Sequence, residues 1–450
     1  MLPMLSPSAS SISLGGLSIA TNLSTASLQS LALLTSASSS TSSLRLPEDE
    51  VEVVRVEGLR HSKLRLEARQ YKSDAFRLKL LDCLRALQVP VWSTARIGSE
   101  DIKVHKVSGS LTNAVFFVSC HSPLRGARTL LLRIYGPCSG SLISRPRELH
   151  TLHVLSSQYH IGPRVYGTFE NGRVEEYFES TTLTPSDIRD PTISRWVGAR
   201  MAELHSVDID VVEGSSFPAS RKAKEWDIGA LNNVKAWLGL AEDVLKLPVI
   251  SDAIRAQLDL NSFKQEWGKY LQWLLTADDV NNGSRRVFAH NDAQYGNLLR
   301  LQHSPTKIGD EHRQKIIVVD FEYAGPNPAS YDIANHFHEW TADYHSPTPH
   351  LYDSSRYPTY DQRRNFYIAY LGHTGEGLVV AEPDRELQLA NLEEQVRVWS
   401  PASHAMWAIW GIVQARDDLK ANVTEPEFDY IGYSICRMTS FRREILALGI

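Results

Sequence analysis

The stretch Val287-Phe-Ala-His290-Asn291-Asp292-Ala-Gln294-Tyr-Gly-Asn297-Leu-Leu, followed by Ile316-Ile-Val-Val-Asp320-Phe-Glu-Tyr323, sets carboxylates and an amide beside short apolar runs. The pattern is His-x-Asp-x-x-x-x-Asn, then an Asp that closes an apolar strand. It suits phosphoryl transfer, in which one carboxylate must sit beside the attacking hydroxyl while an amide oxygen and a second carboxylate hold Mg²⁺ on the phosphates. Asp292 fits the first role; Asn297 and Asp320 fit the other two. Each alone has a plainer account: Asp292 a turn residue, Asn297 a strand-start cap, Asp320 a strand-end cap. All three at this spacing, between apolar strands, favour the chemistry.

The elements that must position these groups can be read on either side. Alternation and β-branched residues predict strands at Ile102–Val107, Ala114–Ser119 and Thr129–Tyr135, then a helix around Pro146–Ser157. Two further strands, Arg164–Phe169 and Arg173–Phe178, flank Asn171-Gly172, a strong hairpin signal. This is a small five-stranded sheet with one helix. Beyond Phe178 the spacing turns helical, first through Ile193, Val197, Met201 and Leu204. Further helices are predicted at Arg221–Leu240, Ala253–Leu275, Ala329–Thr341, Thr359–Leu371, Glu386–Lys420 and Glu427–Leu448. Short strands at Val287–Ala289, Leu298–Leu301 and Ile316–Val319 interrupt them. The expectation is an α+β, protein-kinase-like bilobal fold, with a β lobe over 49–178 and a larger, mostly helical lobe over 179–450.

Composition narrows the class. The 450 residues carry 47 basic and 52 acidic side chains, a net charge of −5, which argues against a nucleic-acid partner. No run of about 18 apolar residues occurs, so stable membrane insertion is not expected. Cys83, Cys120, Cys138 and Cys436 lie far apart with no C-x-x-C pair, which fits neither a disulfide scaffold nor a zinc site and suggests a reducing, cytoplasmic setting. Met1–Leu44 has no charged side chain and is rich in Ser and Thr. On this uncharged, Ser/Thr-rich composition 1–48 is expected to be a disordered tail.

His290-Asn-Asp-Ala-Gln-Tyr-Gly-Asn297, Asp320-Phe-Glu-Tyr323, Tyr331-Asp-Ile-Ala-Asn-His-Phe-His-Glu-Trp340 and Ser403-His-Ala-Met-Trp-Ala-Ile-Trp-Gly-Ile-Val-Gln-Ala415 together resemble the choline/ethanolamine kinase family, from about Lys103 to the C-terminus. The His-x-Asp motif is shared with aminoglycoside phosphotransferases; Asn335-His-Phe-x-Glu-Trp340 and Trp407-x-x-Trp410 are much more specific. The resemblance implies ATP and Mg²⁺, with Asp292 catalytic, Gln294 near the phosphates or acceptor, and Asn297 and Asp320 on the metal. Gly109, Ser110, Leu111, Thr112 and Asn113 resemble the family's phosphate-covering loop, with Ser110 where a second glycine is common. Arg133 takes the place of a phosphate-binding cation, with Glu148 as the candidate to orient it. Glu176, Tyr177 and Phe178 are the expected hinge for adenine.

A quaternary ammonium cannot donate an N–H, so aromatic faces and nearby negative charge must hold it. Tyr323, Trp340, Tyr344, Trp407, Trp410, Phe428 and Tyr433, with Glu339, are the residues the resemblance assigns to choline. The expected activity is phosphorylation of the choline hydroxyl, the first step of the CDP-choline route to phosphatidylcholine. Ethanolamine kinase, or a dual enzyme, is the alternative. Trp340 directly after Glu339 resembles the choline-preferring branch. An inactive choline-binding or scaffold protein should have lost Asp292, Asn297 or Asp320, and all three are present. Homodimerisation is left open.

Overall fold

The structure, a computed structural model, describes residues 53–94, 96–108, 113–121, 126–135, 144–214, 228–278, 283–302, 315–374 and 382–450. The tail 1–48 and Gly109, Ser110, Leu111 and Thr112 of the expected phosphate loop lie outside those residues, and Asn113 is described by its backbone alone.

The N-terminal lobe runs β1 (His61–Ser62), α1 (Asp74–Ala86), β2 (Ile102–Ser108), β3 (Asn113–Cys120), β4 (Leu130–Tyr135), α2 (Arg145–Gln158), β5 (Val165–Phe169) and β6 (Gly172–Glu176). Its sheet has the order β1-β5-β6-β4-β3-β2, antiparallel except for the β1–β5 pair. The five expected strands are present; the sixth, β1, is two residues long and carries no alternation to read. Helix α1 is a second addition. Ser73 caps it by accepting from the Phe76 N–H, and Phe76, Leu80, Leu81 and Leu84 give it a buried stripe. Register sets Arg133 of β4 directly opposite Arg173 of β6. Like charges in that position repel, so the fold must supply acids nearby.

The larger lobe continues with β7 (Ser180–Thr182), α3 (Pro191–Leu204), α4 (Ile209–Glu213), α5 (Gly229–Leu245), α6 (Asp252–Leu258), α7 (Leu260–Ala277), β8 (Arg286–Ala289), β9 (Leu298–Leu301), β10 (Ile316–Val318), β11 (Gly325–Pro328), α8 (Ala329–Glu339), α9 (Tyr360–Leu371), α10 (Glu382–Gln414), α11 (Arg416–Lys420) and α12 (Tyr430–Ala447). The single helix expected at Ala253–Leu275 is two helices. Asp259 takes φ of +35° between them and caps the second by accepting from the Ser262 N–H at 3.1 Å. A short carboxylate that bonds its own backbone competes with helix continuation. Strand β11 holds Pro326 and Pro328, which hid it from pattern reading; it pairs only with β8, so neither proline breaks a central ladder. The helix expected at Arg221–Leu240 starts at Gly229, with 221–227 outside the described residues.

Two apolar cores result. One joins α1 to the sheet through Leu80, Leu84, Phe116, Leu132 and Val174. The other fills the helical lobe, and α2 contributes Leu149, Leu152 and Leu155 to it. Helix α2 therefore lies within the β lobe in sequence but packs on the large one. Among the described residues no helix is long and apolar enough to cross a membrane.

Asn171, read as a turn residue, has a second task. Its buried amide accepts from the Leu66 N–H at 3.0 Å and donates to the Leu66 carbonyl at 2.8 Å, tying the segment after β1 to the β5–β6 hairpin. Asn171→Ala leaves two buried backbone groups unpaired and should destabilise the N-terminal lobe by about 2 kcal/mol. A denaturant midpoint equal to wild-type would show the tie to be dispensable.

Candidate active site

The loop 290–297 is fixed from beneath by one carboxylate. Asp332, fully buried on α8, accepts from the backbone N–H groups of His290 at 2.9 Å and Asn291 at 2.8 Å, and bonds His205 Nε2 at 2.9 Å. Burial raises its pKa, and the His205 hydrogen bond and the histidine charges outweigh that and hold it low. Asn291 sits at φ +65°, a region asparagine tolerates, and donates to the Tyr323 carbonyl at 2.9 Å. His290 accepts from the Asp292 N–H at Nδ1 and donates from Nε2 to the Val319 carbonyl at 3.0 Å. The loop is thereby locked to the strand that delivers Asp320.

The reactive groups stand on that frame. Asp292 accepts from Asn297 Nδ2 at 2.9 Å. Burial, then Glu339 and Asp320, push the Asp292 carboxyl well above its usual range. Burial pushes Asp320 up to about 6, against the pull of Arg133. Glu322, between Asp320 and Tyr323, is raised well above its usual range by burial and by Asp320. The Asn297 side-chain oxygen is buried without a hydrogen-bond partner, an omission that costs about 1–3 kcal/mol unless a ligand fills it. An orphaned amide oxygen near ionisable carboxylates is the hard-oxygen set that Mg²⁺ takes, so Asn297 and Asp320 fit the ion.

Beside Asp320 opens a cleft between the lobes, lined in part by Phe117, Leu131, Glu176, Tyr177, Phe178 and Leu299. The three expected hinge residues thus face it. Arg133 and Glu148 also line it, but the expected pairing differs. Glu148 bonds Arg173 at 2.7 Å, while Arg133 lies 3.9 Å from Glu175 and its Nε is buried without a partner. Arg173 also holds Glu175 and donates to the Tyr135 hydroxyl at 3.1 Å. It takes the acids that register opposite Arg133 demands, because it is the more deeply buried cation. Sequence reading missed Arg173, which shows there only as a residue following a turn.

Gln294 is corrected as well. It is buried, accepts from the Gly296 N–H at 3.2 Å to cap the short turn Tyr295–Asn297, and lines neither cavity.

A smaller cavity is lined by Asp292, Tyr323, Glu339, Tyr344, Trp407, Trp410 and Tyr433. The rings meet edge to face, with centroids 5.1 Å apart for Tyr323–Trp407 and for Trp407–Trp410, and 5.9 Å for Trp410–Tyr433. The indole N–H groups are spent inside the protein: Trp407 donates to Asn335 at 2.8 Å and Trp410 to the Tyr323 hydroxyl at 2.9 Å. Trp340 and Phe428 are absent from the lining. Trp340 is fully buried, donates to His336 Nε2 at 3.2 Å and carries the Arg189 guanidinium over its ring. Phe428 stacks behind Tyr433 and Tyr430. Phe428 thus backs one wall of the cavity, while Trp340 packs against His336, Phe337 and Arg189. Two residues missed in the sequence, Tyr352 and Arg437, reach Glu339 directly; a tyrosine in a loop and an arginine inside an amphipathic helix gave no pattern to notice.

A family model described as choline/ethanolamine kinase matches residues 104–442. The chain is 35% identical over 425 residues to the choline kinase of Schizosaccharomyces pombe, covering 83% of this chain and 90% of that one. Two solved structures share the fold at a TM-score of 0.61: a choline kinase from Cryptosporidium parvum, at 24% identity over 82% of this chain and 95% of that one, and a Plasmodium vivax ethanolamine kinase, at 20% identity over 83% and 90%.

The Asp320 shift has a testable sign. Between pH 3.8 and about 6 the folded form holds a proton that the unfolded chain has lost, so stability falls as pH rises through that window. The cost reaches at most about 3 kcal/mol above it. Asp320→Asn keeps the shape and suits the φ of +67°. Without added divalent cation it should melt higher than wild-type at pH 8, with the advantage gone at pH 4. A variant that melts lower at pH 8 would show that the carboxylate is not strained.

Proposed function

The chain belongs to the choline/ethanolamine kinase family, and we propose that it is an ATP-dependent choline kinase. The observation that carries this is the position of Asp292. Its carboxylate lines the aromatic cavity while feeling the charge of both Glu339 in that cavity and Asp320 in the interlobe cleft. A base so placed can meet an alcohol held on one side and a phosphate held on the other.

In this reading ATP lies in the interlobe cleft, with adenine against Glu176, Tyr177 and Phe178 and the phosphates toward Arg133 and the loop Gly109–Asn113. The lobes divide near residue 178. Asn297 and Asp320 would hold Mg²⁺, which supplies neutralisation of charge on the phosphates. Tyr323, Trp407, Trp410 and Tyr433 present ring faces to the trimethylammonium group, and Glu339 adds a carboxylate near it. The choline hydroxyl attacks the γ-phosphorus in line, forming its P–O bond as the bond to ADP breaks. Asp292 accepts the hydroxyl proton. Its raised pKa makes it a stronger base than an exposed aspartate, and Asn297 holds it toward the acceptor. The products are phosphocholine and ADP. Ethanolamine is the second reading, favoured by whatever acceptor capacity Glu339 retains.

Two variants separate the chemistry from the cage. Asp292→Asn keeps shape but removes the base, so kcat should fall by about 10²–10⁴ with nucleotide affinity nearly unchanged; wild-type turnover would sink the mechanism. Trp410→Leu keeps apolar bulk but removes the quadrupole. A desolvated cation–π contact of about 2 kcal/mol is worth roughly thirtyfold, so choline KM should rise by up to that factor while ATP KM holds. Equal weakening of both would make the tryptophans packing residues only. A coupled assay with choline, ethanolamine and an aminoglycoside reads both variants against the same controls.

A further inference from the structure

Glu339 is the one carboxylate of the aromatic cavity besides Asp292, and it is already engaged. Tyr344 donates its hydroxyl to Oε2 at 2.6 Å; Tyr352 donates to Oε1 at 2.8 Å, and Arg437 donates to the same oxygen at 2.9 Å. A carboxylate offers about four lone-pair positions, two on each oxygen. Both positions on Oε1 are therefore filled, and Oε2 keeps one. We propose that Tyr352 and Arg437 are specificity-determining: by filling both acceptor positions of Glu339 Oε1 they leave a primary ammonium fewer partners than its three N–H groups need, so that the cavity favours quaternary ammonium alcohols.

The cost falls on one substrate only. A quaternary ammonium has no N–H to satisfy, and ring faces suffice for it. A primary ammonium brings three donors into this ring-lined cavity, and each one left without an acceptor forfeits the hydrogen bond it had in water. The rest of the lining offers neutral hydroxyls only: the Tyr323 hydroxyl spends one acceptor position on Trp410, and Asp292 is committed to the alcohol end of the substrate in the reading above, on which this inference rests.

The blocking groups are held firmly. Arg437 is fully buried on α12; it lies 3.9 Å over the Tyr352 ring and donates to the Tyr352 and Tyr433 hydroxyls. Its remaining arm meets His404 Nδ1 at 3.2 Å. Burial pushes His404 down to about 3, so that nitrogen is free to accept. The Nε2 on the far side of the ring lies 3.4 Å from Glu444. Arg437 thus has a partner on every side and cannot swing away to release Glu339. A resident guanidinium also balances the Glu339 charge, which leaves the ring faces as the main attraction for the incoming cation.

The test is kcat/KM along a series that differs only in N–H count: choline, N,N-dimethylethanolamine, N-methylethanolamine and ethanolamine. Wild-type values should fall as N–H groups are added. Tyr352→Phe retains the ring against Arg437 and Tyr433 but frees one position on Oε1. It should raise ethanolamine relative to choline by about tenfold, the size of one charge-assisted hydrogen bond, with ATP KM unchanged. Tyr344→Phe frees a position on Oε2 and should shift the ratio the same way; it stands in if the first variant folds poorly. A choline-to-ethanolamine ratio that stays constant or widens in both variants overturns the inference. Wild-type turnover of none of the four alcohols would instead overturn the kinase reading, and the selectivity with it.

Discussion

The Asp332 carboxylate is the constraint on which the site depends. It gathers two consecutive backbone N–H groups of the catalytic loop and a buried imidazole at once, and it stays ionised because those partners outweigh its burial. With Asn291 in the left-handed region, a loop of this shape would relax unless its backbone groups had fixed partners. Asp332 supplies them from a helix that packs within the large core, so the Asp292 carboxylate, the proposed base, inherits the rigidity of that core. The same helix, α8, carries Asn335, which donates to the Asn291 carbonyl and accepts from Ser403 and Trp407 of α10. One helix therefore sets the distance between the base and the wall of the aromatic cavity.

Charge is handled in opposite ways on the two sides of that frame. In the interlobe cleft, Arg133 and Arg173 face each other by strand register, and two acids are drawn to the deeper one, leaving Arg133 short of partners where an anion would bind. In the aromatic cavity the resident acid is matched to a resident cation, and rings cover what remains. Between them, Asp292, Asp320 and Glu322 are all raised by burial. That stretch is costly to the empty fold, and the surrounding cores must hold it in place.

Much of this was legible in the sequence because the reacting residues sit at turns between short apolar strands, where spacing alone reports geometry. His290, Asp292, Asn297 and Asp320 needed no tertiary contact to be noticed. The five main strands and most helices followed from period. What stayed hidden depends on contacts between distant segments. Arg173 acquires its role from cross-strand register with Arg133, and Arg437 from a helix packed some 98 positions away from Glu339 in sequence. Conversely, Trp340 and Phe428 looked like cavity walls by residue type, yet one lies a turn too deep and the other a layer too far out. Aromatic type marks a region; which ring turns a face inward is fixed by packing. Gln294 illustrates the same limit for polar groups, since its position beside the catalytic carboxylate is spent on a local cap.

Selectivity and catalysis then draw on the same resource, the number of unspent hydrogen-bonding positions. Around the aromatic cavity most positions that could bond a substrate nitrogen are turned to protein partners: the indole N–H groups to Asn335 and Tyr323, the Glu339 oxygens to Tyr344, Tyr352 and Arg437. At the interlobe end two positions are open instead, on the Asn297 oxygen and the Arg133 Nε. An unfilled buried position is destabilising, and a bound ligand there would complete both. In the proposed reading the interlobe end is finished by an anionic, metal-bearing ligand, and the aromatic end receives a cation that asks for no hydrogen bond.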